Sequence, residues 1–336
     1  MNKLIMLLAV TLLAGCGGSS NKSSVLTDKA TVTPKEVHNI QPKDIPQYIE
    51  KFKQDHARLE FLLDGISYDL SFVDNEGNQI FAQYEKGLII IGFDLDTGKP
   101  IKELTVLEGD ISNLQKLINA PTRRLTAHNI EVSEKNGDAI YIGQLMDPTT
   151  TGLYPVSLTI NEALLSGGSS KIKVVDDQAY ITGALGTEFY IQMQDLIANS
   201  PQVKTLVLQN IEGSINDDIN LHSGRLVRQA QLNTLMPKDG EAYSGGVDLF
   251  LSGQQRIYQD GGVLGVHSWC CVEGKSAHLL PKDHSAHGAQ LTYVREMLGT
   301  SLGPDFYFFT LKAAPFNGIY NMTKAEITQY FEQTNP

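Results

Sequence analysis

Two side chains able to share a proton stand at turns of this chain. Ser244 lies in Tyr243-Ser244-Gly245-Gly246, and His267 in Gly265-Val266-His267-Ser268-Trp269. Ser244 is followed by two glycines and then by Val247, Leu249, Phe250 and Leu251, which places its hydroxyl where a tight turn enters a buried helix. The free N–H groups and positive end of such a helix favour developing negative charge. A serine at a helix entrance and a histidine at a strand end are two of the three parts of an activated hydroxyl nucleophile: the imidazole takes the proton and the loose amides hold the oxyanion. The same residues also fit a plain glycine-rich turn with Ser244 as helix N-cap. Asp248, one turn beyond Ser244 on the same face, suits either tuning of the site or a structural hydrogen bond.

The elements that must position these groups come next. Residues 256–266 read as a β-hairpin or paired strands turning at Asp260-Gly261-Gly262, with His267 at the end of the returning strand. Asn216 is placed to cap a helix whose first turn carries Asp217 and Asp218, favourable beside the positive helix end. Arg225 and Arg228 lie one turn apart on that helix, as on a solvated or locally paired face. Strand and helix patterns alternate through the second half of the chain, which predicts parallel pairing with helices covering the sheet.

From about residue 176 to 330 the chain resembles the Clp protease and crotonase superfamily, and more closely its uncharacterised periplasmic proteins. Ala179-Tyr180-Ile181-Thr182-Gly183 resembles the opening strand of that family, and residues 187–199 its first helix. Residues 203–210 resemble the second strand, leading into Gly213-Ser214 at the family's glycine-bearing oxyanion loop. Ser244 occupies the nucleophile position, His267 the base position, and residues 322–327 resemble the closing helix with Thr323 as its cap. The resemblance implies an α/β fold, a Clp/crotonase-like ββα superhelix domain over 170–333; residues 43–165 resemble no known family and read by their own pattern as a small α+β domain for substrate access or partner docking. The resemblance also implies that amides at Gly245 and near Gly213 and Ser214 form the oxyanion hole, and that the chain forms a homo-oligomer, as superfamily members often do. The family's aspartate just before the closing helix is missing, since residues 314–321 hold no carboxylate. Asn317 or Asn321 is left to orient the imidazole, with Asp283 and Asp305 as nearby acidic candidates; a neutral orienter supports the charged ring less well. The implied activity is that of a serine hydrolase acting on a peptide or a small ester or amide, without cofactor or metal. The alternative is an envelope binding or assembly module that kept the fold and lost turnover, because fold does not fix function. A coenzyme A reaction of crotonase type ranks third, that cofactor not being expected outside the cytoplasm.

The N-terminus supplies the compartment. Residues 4–13 form the short apolar region of an export signal, too brief to span a bilayer, and Leu13-Ala14-Gly15-Cys16 looks like a lipobox in which Cys16 is acylated. Gly17 lacks the aspartate associated with inner-membrane retention, which favours an outer-membrane anchor facing the periplasm. Residues 17–42 are rich in Ser, Thr, Lys and Asn and read as a flexible tether. Residues 44–63 carry apolar side chains at helical intervals. Beyond them, residues 67–72, 79–84 and 87–93 read as strands, 111–118 as a short helix, and 125–132 with 139–142 as a hairpin. Asp94-Leu95-Asp96-Thr97-Gly98 fits a solvated hairpin turn better than a calcium loop. Ser166-Gly167-Gly168-Ser169-Ser170 reads as the domain boundary.

Composition narrows the partners. With 27 basic against 38 acidic residues, the net charge of -11 argues against nucleic acid and against docking on anionic lipid by charge. His278, His284 and His287 suggest an exposed loop more than a zinc site, for want of a third well-spaced ligand. Cys270-Cys271 is a vicinal pair in an oxidising compartment, able to close a strained ring or to remain as buried thiols shaping the pocket.

Overall fold

The computed structural model describes residues 35–331 apart from Asp96. The export signal, Cys16 and the first part of the tether lie outside the described residues. From Val37 onward the expected tether is docked and not free. The Val37 amide donates to Thr292 Oγ1 at 2.9 Å, Asn39 Nδ2 donates to Asp218 at 2.6 Å, and His222 Nε2 donates to the Ile40 carbonyl at 2.8 Å.

The helix expected over 44–63 is α1 (Ile45–His56), shorter than its apolar periodicity suggests. Arg58, just past its end, turns to hydrogen-bond Asp138 at 2.8 Å and Asp55 at 3.0 Å. There follow β1 (Glu60–Leu63), β2 (Ile66–Ser67), β3 (Ser71–Glu76), β4 (Gln79–Tyr84), β5 (Gly87–Asp94), β6 (Lys99–Glu108), α2 (Leu114–Asn119), β7 (Arg123–Ala127), β8 (Glu131–Lys135), β9 (Asp138–Met146), β10 (Leu153–Ile160) and α3 (Glu162–Gly167). Phe61 and Leu63 alternate inward in β1, so cross-strand burial against β10 overrides the helical spacing of Leu59, Leu62 and Leu63. All these strands form one antiparallel ten-stranded sheet ordered β2-β1-β10-β9-β7-β6-β5-β4-β3, with β8 on β9. The sheet curls on itself. Phe61 in β1 and Tyr84 in β4, near opposite ends of that order, meet edge to face at 5.2 Å, and Tyr141 Oη donates to the Gly92 carbonyl at 2.6 Å. Each large apolar side chain so enclosed contributes about 1.5–3 kcal/mol. Asp94 and Lys99 pair where β5 passes to β6, and Asp94 accepts from the Thr97 amide at 3.1 Å; Asp96 of the expected turn lies outside the described residues.

The second half contains β11 (Lys171–Val175), β12 (Gln178–Thr182), α4 (Thr187–Asn199), β13 (Thr205–Ile211), α5 (Asp217–Gln229), β14 (Asn233–Met236), β15 (Glu241–Tyr243), α6 (Gly245–Leu251), β16 (Arg256–Tyr258), β17 (Val263–Val266), α7 (Gly288–Leu298), α8 (Leu302–Ala313), β18 (Tyr320–Asn321) and α9 (Lys324–Phe331). Its sheet forks at β13. The first half of β13 pairs in parallel with β14 and its end with β15; β14 runs on to β16 and β15 to β17, while β18 closes antiparallel on β17. Two short strands and a helix therefore repeat, which is an α/β fold of ββα superhelical type. The hairpin expected over 256–266 does not form, because β16 and β17 join different arms of the fork. Gly261, at φ +108°, and Gly262, closely packed on Met236 and Pro237, make the corner between them.

The two halves meet closely. Ser166-Gly167-Gly168-Ser169-Ser170 is not a loose linker: Gly168 has φ +87°, and a Cβ there would sit 2.7 Å from the Ala184 carbonyl oxygen. Thr187 Oγ1 donates to the Ser166 carbonyl at 3.0 Å. Among the described residues no helix is long and apolar enough to cross a membrane. Gly168→Ala should lower the unfolding free energy by about 1–3 kcal/mol, the scale of backbone strain at one residue. Urea titration measures it, and an unchanged midpoint would mean that the crossing is slack.

Candidate active site

Three neighbouring parallel strands end at the same edge of the fork. Ile211 of β13 is level with Ala242 of β15, and Tyr243 of β15 is level with Gly265 of β17. The residues just past those ends are Gly213 and Ser214, Ser244, and His267. Ligands of open α/β sheets gather beyond the carboxyl ends of parallel strands for this reason.

Ser244 sits at φ 50° and ψ -121°, between β15 and α6, a region that side-chain-bearing residues rarely occupy. Its amide donates to the Gly265 carbonyl at 2.8 Å, tying the turn to β17. The hydroxyl makes no capping hydrogen bond to α6, so the N-cap reading of the sequence does not describe it. The following glycines are there for close approach. A Cβ on Gly245 would lie 2.4 Å from Ser214 Cβ, and one on Gly246 2.8 Å from Ile211 Cγ2. Gly213, at φ +137°, faces Ser244, with its Cβ direction 3.4 Å from Ser244 Cβ. Asn220, fully buried on α5, donates from Nδ2 to the Gly245 carbonyl at 3.0 Å and pins the first turn of α6.

His267 and Ser244 line one cavity of about 50 Å³, together with Asp217, Val247, Asp248, Trp269, Gln290, Phe306, Tyr307 and Thr310. No hydrogen bond joins the hydroxyl to the imidazole. His267 Nδ1 is buried and makes no well-formed hydrogen bond. Burial lowers the ring's pKa below the ordinary value, while the nearby carbonyls of Ser268 and Phe316 pull it back. The loop after α8 thus brings a main-chain carbonyl to the ring; the Ser268 amide, donating to the Ala314 carbonyl at 2.9 Å, holds that loop beside it. Asn317 lies one residue beyond Phe316 and is exposed, and Asn321 is exposed in β18. Asp283 and Asp305 are exposed as well, and neither lines the cavity.

The carboxylates that do reach the cavity are Asp217 and Asp248. Gln290 Nε2 donates to Asp248 at 2.8 Å, and Tyr293 Oη donates to the Asp248 main-chain carbonyl at 2.6 Å. Burial first and the neighbouring Asp218 carboxylate second push Asp217 up to about 6; burial first and Asp217 second push Asp248 up to about 7. Asp217 is exposed and Asp248 half-buried, so the surrounding protein bears more heavily on Asp248, whose rise is the one the packing supports. Near neutral pH such a pair titrates jointly, the first charge opposing the second. Sequence reasoning took Asp217 only as a helix-end charge, and nothing in its spacing signalled Gln290 or Tyr307 as cavity residues. Tyr307 Oη accepts from Trp269 Nε1 at 2.8 Å and donates to Nδ1 of buried His287 at 2.7 Å. His284 accepts from the Ala286 amide at 3.2 Å, His278 Nδ1 hydrogen-bonds Ser276 Oγ at 3.0 Å, and none of these three histidines lines the cavity. The sulfurs of Cys270 and Cys271 are bonded to each other beside Trp269.

No protein-family profile and no curated protein matches the chain. Among solved structures it is similar to an enoyl-CoA hydratase from Bacillus anthracis, with TM-score 0.31 and 12% identity over 48% of this chain and 67% of that one. A putative enoyl-CoA hydratase/isomerase from Acinetobacter baumannii gives TM-score 0.32 and 9% identity over 50% and 75% of the two chains. An enoyl-CoA hydratase from Geobacillus kaustophilus gives 0.30 and 11% over 60% and 68%. At these scores the description of the fold stands on the strand pairing itself, an α/β arrangement of repeated ββα units.

The raised carboxylates set a pH dependence. Between the ordinary value of 3.8 and about 7 the folded chain holds a proton at Asp248 that the unfolded chain has released, so stability falls as pH rises through that window. Asp248→Asn should therefore match the parent near pH 3.5 and exceed its melting temperature increasingly up to pH 8. Calorimetric melting across that range tests it; a constant difference would place the Asp248 carboxyl in bulk solvent.

Proposed function

We propose that this chain is a serine hydrolase of the peptidase, amidase or esterase kind, in which Ser244 attacks a carbonyl and His267 shuttles its proton. The observation that carries the reading is Ser244 itself: a hydroxyl on a strained strand-to-helix turn, uncommitted to capping, lining the same cavity as His267. Strain of this kind persists only where the surrounding structure over-determines it, and it clusters at functional sites. The proton of Ser244 passes to the neutral imidazole as the C–O bond forms, and then to the leaving amine or alkoxide as the acyl bond breaks; water repeats the cycle and frees the acid. Amides at Gly245 and in the Gly213-Ser214 loop receive the tetrahedral oxyanion. The depressed pKa of His267 keeps the ring unprotonated at neutral pH, which suits a general base. We further propose that the protein is anchored in the cell envelope through acylated Cys16, on the periplasmic side of the outer membrane, and that substrates are peptides or small esters and amides.

A second reading, a binding or assembly module without turnover, is favoured by one feature. No carboxylate partners His267: its Nδ1 is buried without a hydrogen-bond partner, and the groups that pull the ring's pKa back up are the main-chain carbonyls of Ser268 and Phe316.

The test is covalent labelling of the detergent-solubilised full chain with a fluorophosphonate. The hydrolase reading expects one adduct, located on Ser244 by mass spectrometry and abolished by Ser244→Ala. His267→Ala should slow its formation at least about a hundredfold, the ordinary contribution of general base catalysis. Absence of any adduct between pH 7 and 9 favours the binding module.

A further inference from the structure

We infer that the N-terminal half of the chain is a positioning device for the oxyanion loop, gripping it at Asn216 through Tyr48 of α1 and at Ile215 through the core of the antiparallel sheet. The inference rests on the hydrolase reading for its catalytic consequence, though not for its structural content. Residues 212–216 connect β13 to α5 and carry Gly213 and Ser214 against the Ser244 turn. The loop is held from the other half of the chain by two independent grips. Ile215, 9% exposed, belongs to the buried core cluster of the antiparallel sheet, which includes Phe61, Leu63, Tyr68, Ile160 and Leu164. Its side chain leaves its own domain to do so, and Ala184 of the ββα unit packs against the same cluster. Next along the chain, Asn216 Nδ2 donates to Tyr48 Oη of α1 at 2.7 Å and to Thr187 Oγ1 at 3.1 Å.

The backbone between these grips is clamped as well. The Leu185 amide donates to the Gly213 carbonyl at 2.8 Å, the Ile215 amide to the Leu185 carbonyl at 2.9 Å, and the Asn216 amide to Ser214 Oγ at 3.2 Å. These bonds couple Gly213 and Ser214 to Leu185 and to the two residues that follow them, so a shift at Ile215 or Asn216 is passed to Gly213 and Ser214. An oxyanion donor must be set to within a fraction of an ångström, and a misplacement of 1 Å from a change far from the chemistry lowers rates by about a hundredfold. The α1 helix and the curled sheet thus gain a role that their own surfaces do not display. They hold the loop that packs against Gly245, while Asn220 of α5 pins the same turn through the Gly245 carbonyl. Tyr48 and Ile215 are positioning residues in this account, since neither lines the cavity.

The experiment compares Tyr48→Phe, which removes one hydroxyl and keeps the ring packing, with Ile215→Ala and Ile215→Val in the detergent-solubilised full chain. Fluorophosphonate labelling is followed against probe concentration and pH. Tyr48→Phe and Ile215→Ala should each lower the maximal labelling rate about tenfold, a partial misplacement on the scale above. The half-saturating concentration and the pH midpoint set by His267 should stay as in the parent, and Ile215→Val should restore most of the rate. In parallel, hydrogen exchange read by mass spectrometry should speed up several-fold in the peptide covering residues 212–217, with the peptide covering β17 unchanged. Parental labelling and exchange in both Tyr48→Phe and Ile215→Ala would overturn the proposal, as would exchange that rises equally across the whole chain. Should the parent form no adduct, the hydrolase reading fails, and exchange at residues 212–217 alone decides whether the N-terminal half holds the loop.

Discussion

The constraint on which this structure depends is the parallel register of β13, β15 and β17. Once Ile211 is level with Ala242 and Tyr243 with Gly265, the residues that follow each strand have little choice of neighbour. Gly213, Ser244 and His267 come from three separate units of the repeat, yet one hydrogen-bonding edge sets their spacing. Adjacent strands lie about 4.8 Å apart, so neighbouring strand ends deliver groups at distances a single small substrate bridges. The fork at β13 makes this possible, because diverting β14 and β16 to the other arm leaves β15 and β17 side by side.

Register alone does not make the turn after β15 open toward the cavity. That turn bends sharply because Gly245 and Gly246 let α6 approach Ser214 and Ile211, and Ser244 takes the strained dihedrals that remain. A side chain on either glycine would push the helix away and relax the serine at the same stroke. Strain at Ser244 and close packing at Gly245 and Gly246 are therefore one feature seen from two sides. The strain is retained because Asn220, the Gly265 carbonyl and the buried face of α6 hold the turn from three directions.

Much of this was legible in the sequence, for identifiable reasons. Val247, Leu249, Phe250 and Leu251 announced a buried helix, and two glycines before it announced close approach, so the Ser244 turn was readable locally. The alternation that predicted parallel pairing holds from β12 to β17. The hairpin over 256–266 was misread because a turn signal fixes a reversal or a corner equally well, and the fork that decides between them is a tertiary fact. Residues 59–63 were misread because their apolar spacing satisfies a helix and a half-buried strand alike, and the partner strand lies far along the chain. Asp217 and Asp248 escaped as a pair for the same reason, since no periodicity links the first turns of two helices that only the fold brings together. Ser166-Gly167-Gly168-Ser169-Ser170 shows the converse error: a composition typical of linkers also suits a crossing where two backbones must nearly touch.

The electrostatics of the cavity follow from one cause acting on three groups. Distance from bulk water penalises whichever form is charged, so it lowers His267 and raises Asp217 and Asp248. Each is moved toward neutrality, and no ion pair holds the imidazole in place. In a site with an aspartate on the ring, the charge formed on histidine during attack is met by a fixed opposite charge. In the proposed reaction that charge would meet the carbonyls of Ser268 and Phe316, dipoles aligned by the loop that Ala314 fastens to Ser268, with no carboxylate bonded to the ring. Dipoles stabilise a transient cation less than a carboxylate does, but they demand no desolvated anion in the resting state. In the proposed hydrolase the burden of stabilising charge then shifts to the amides that would face the oxyanion, and the precision with which the Gly213-Ser214 loop is held becomes the quantity on which the proposed turnover depends.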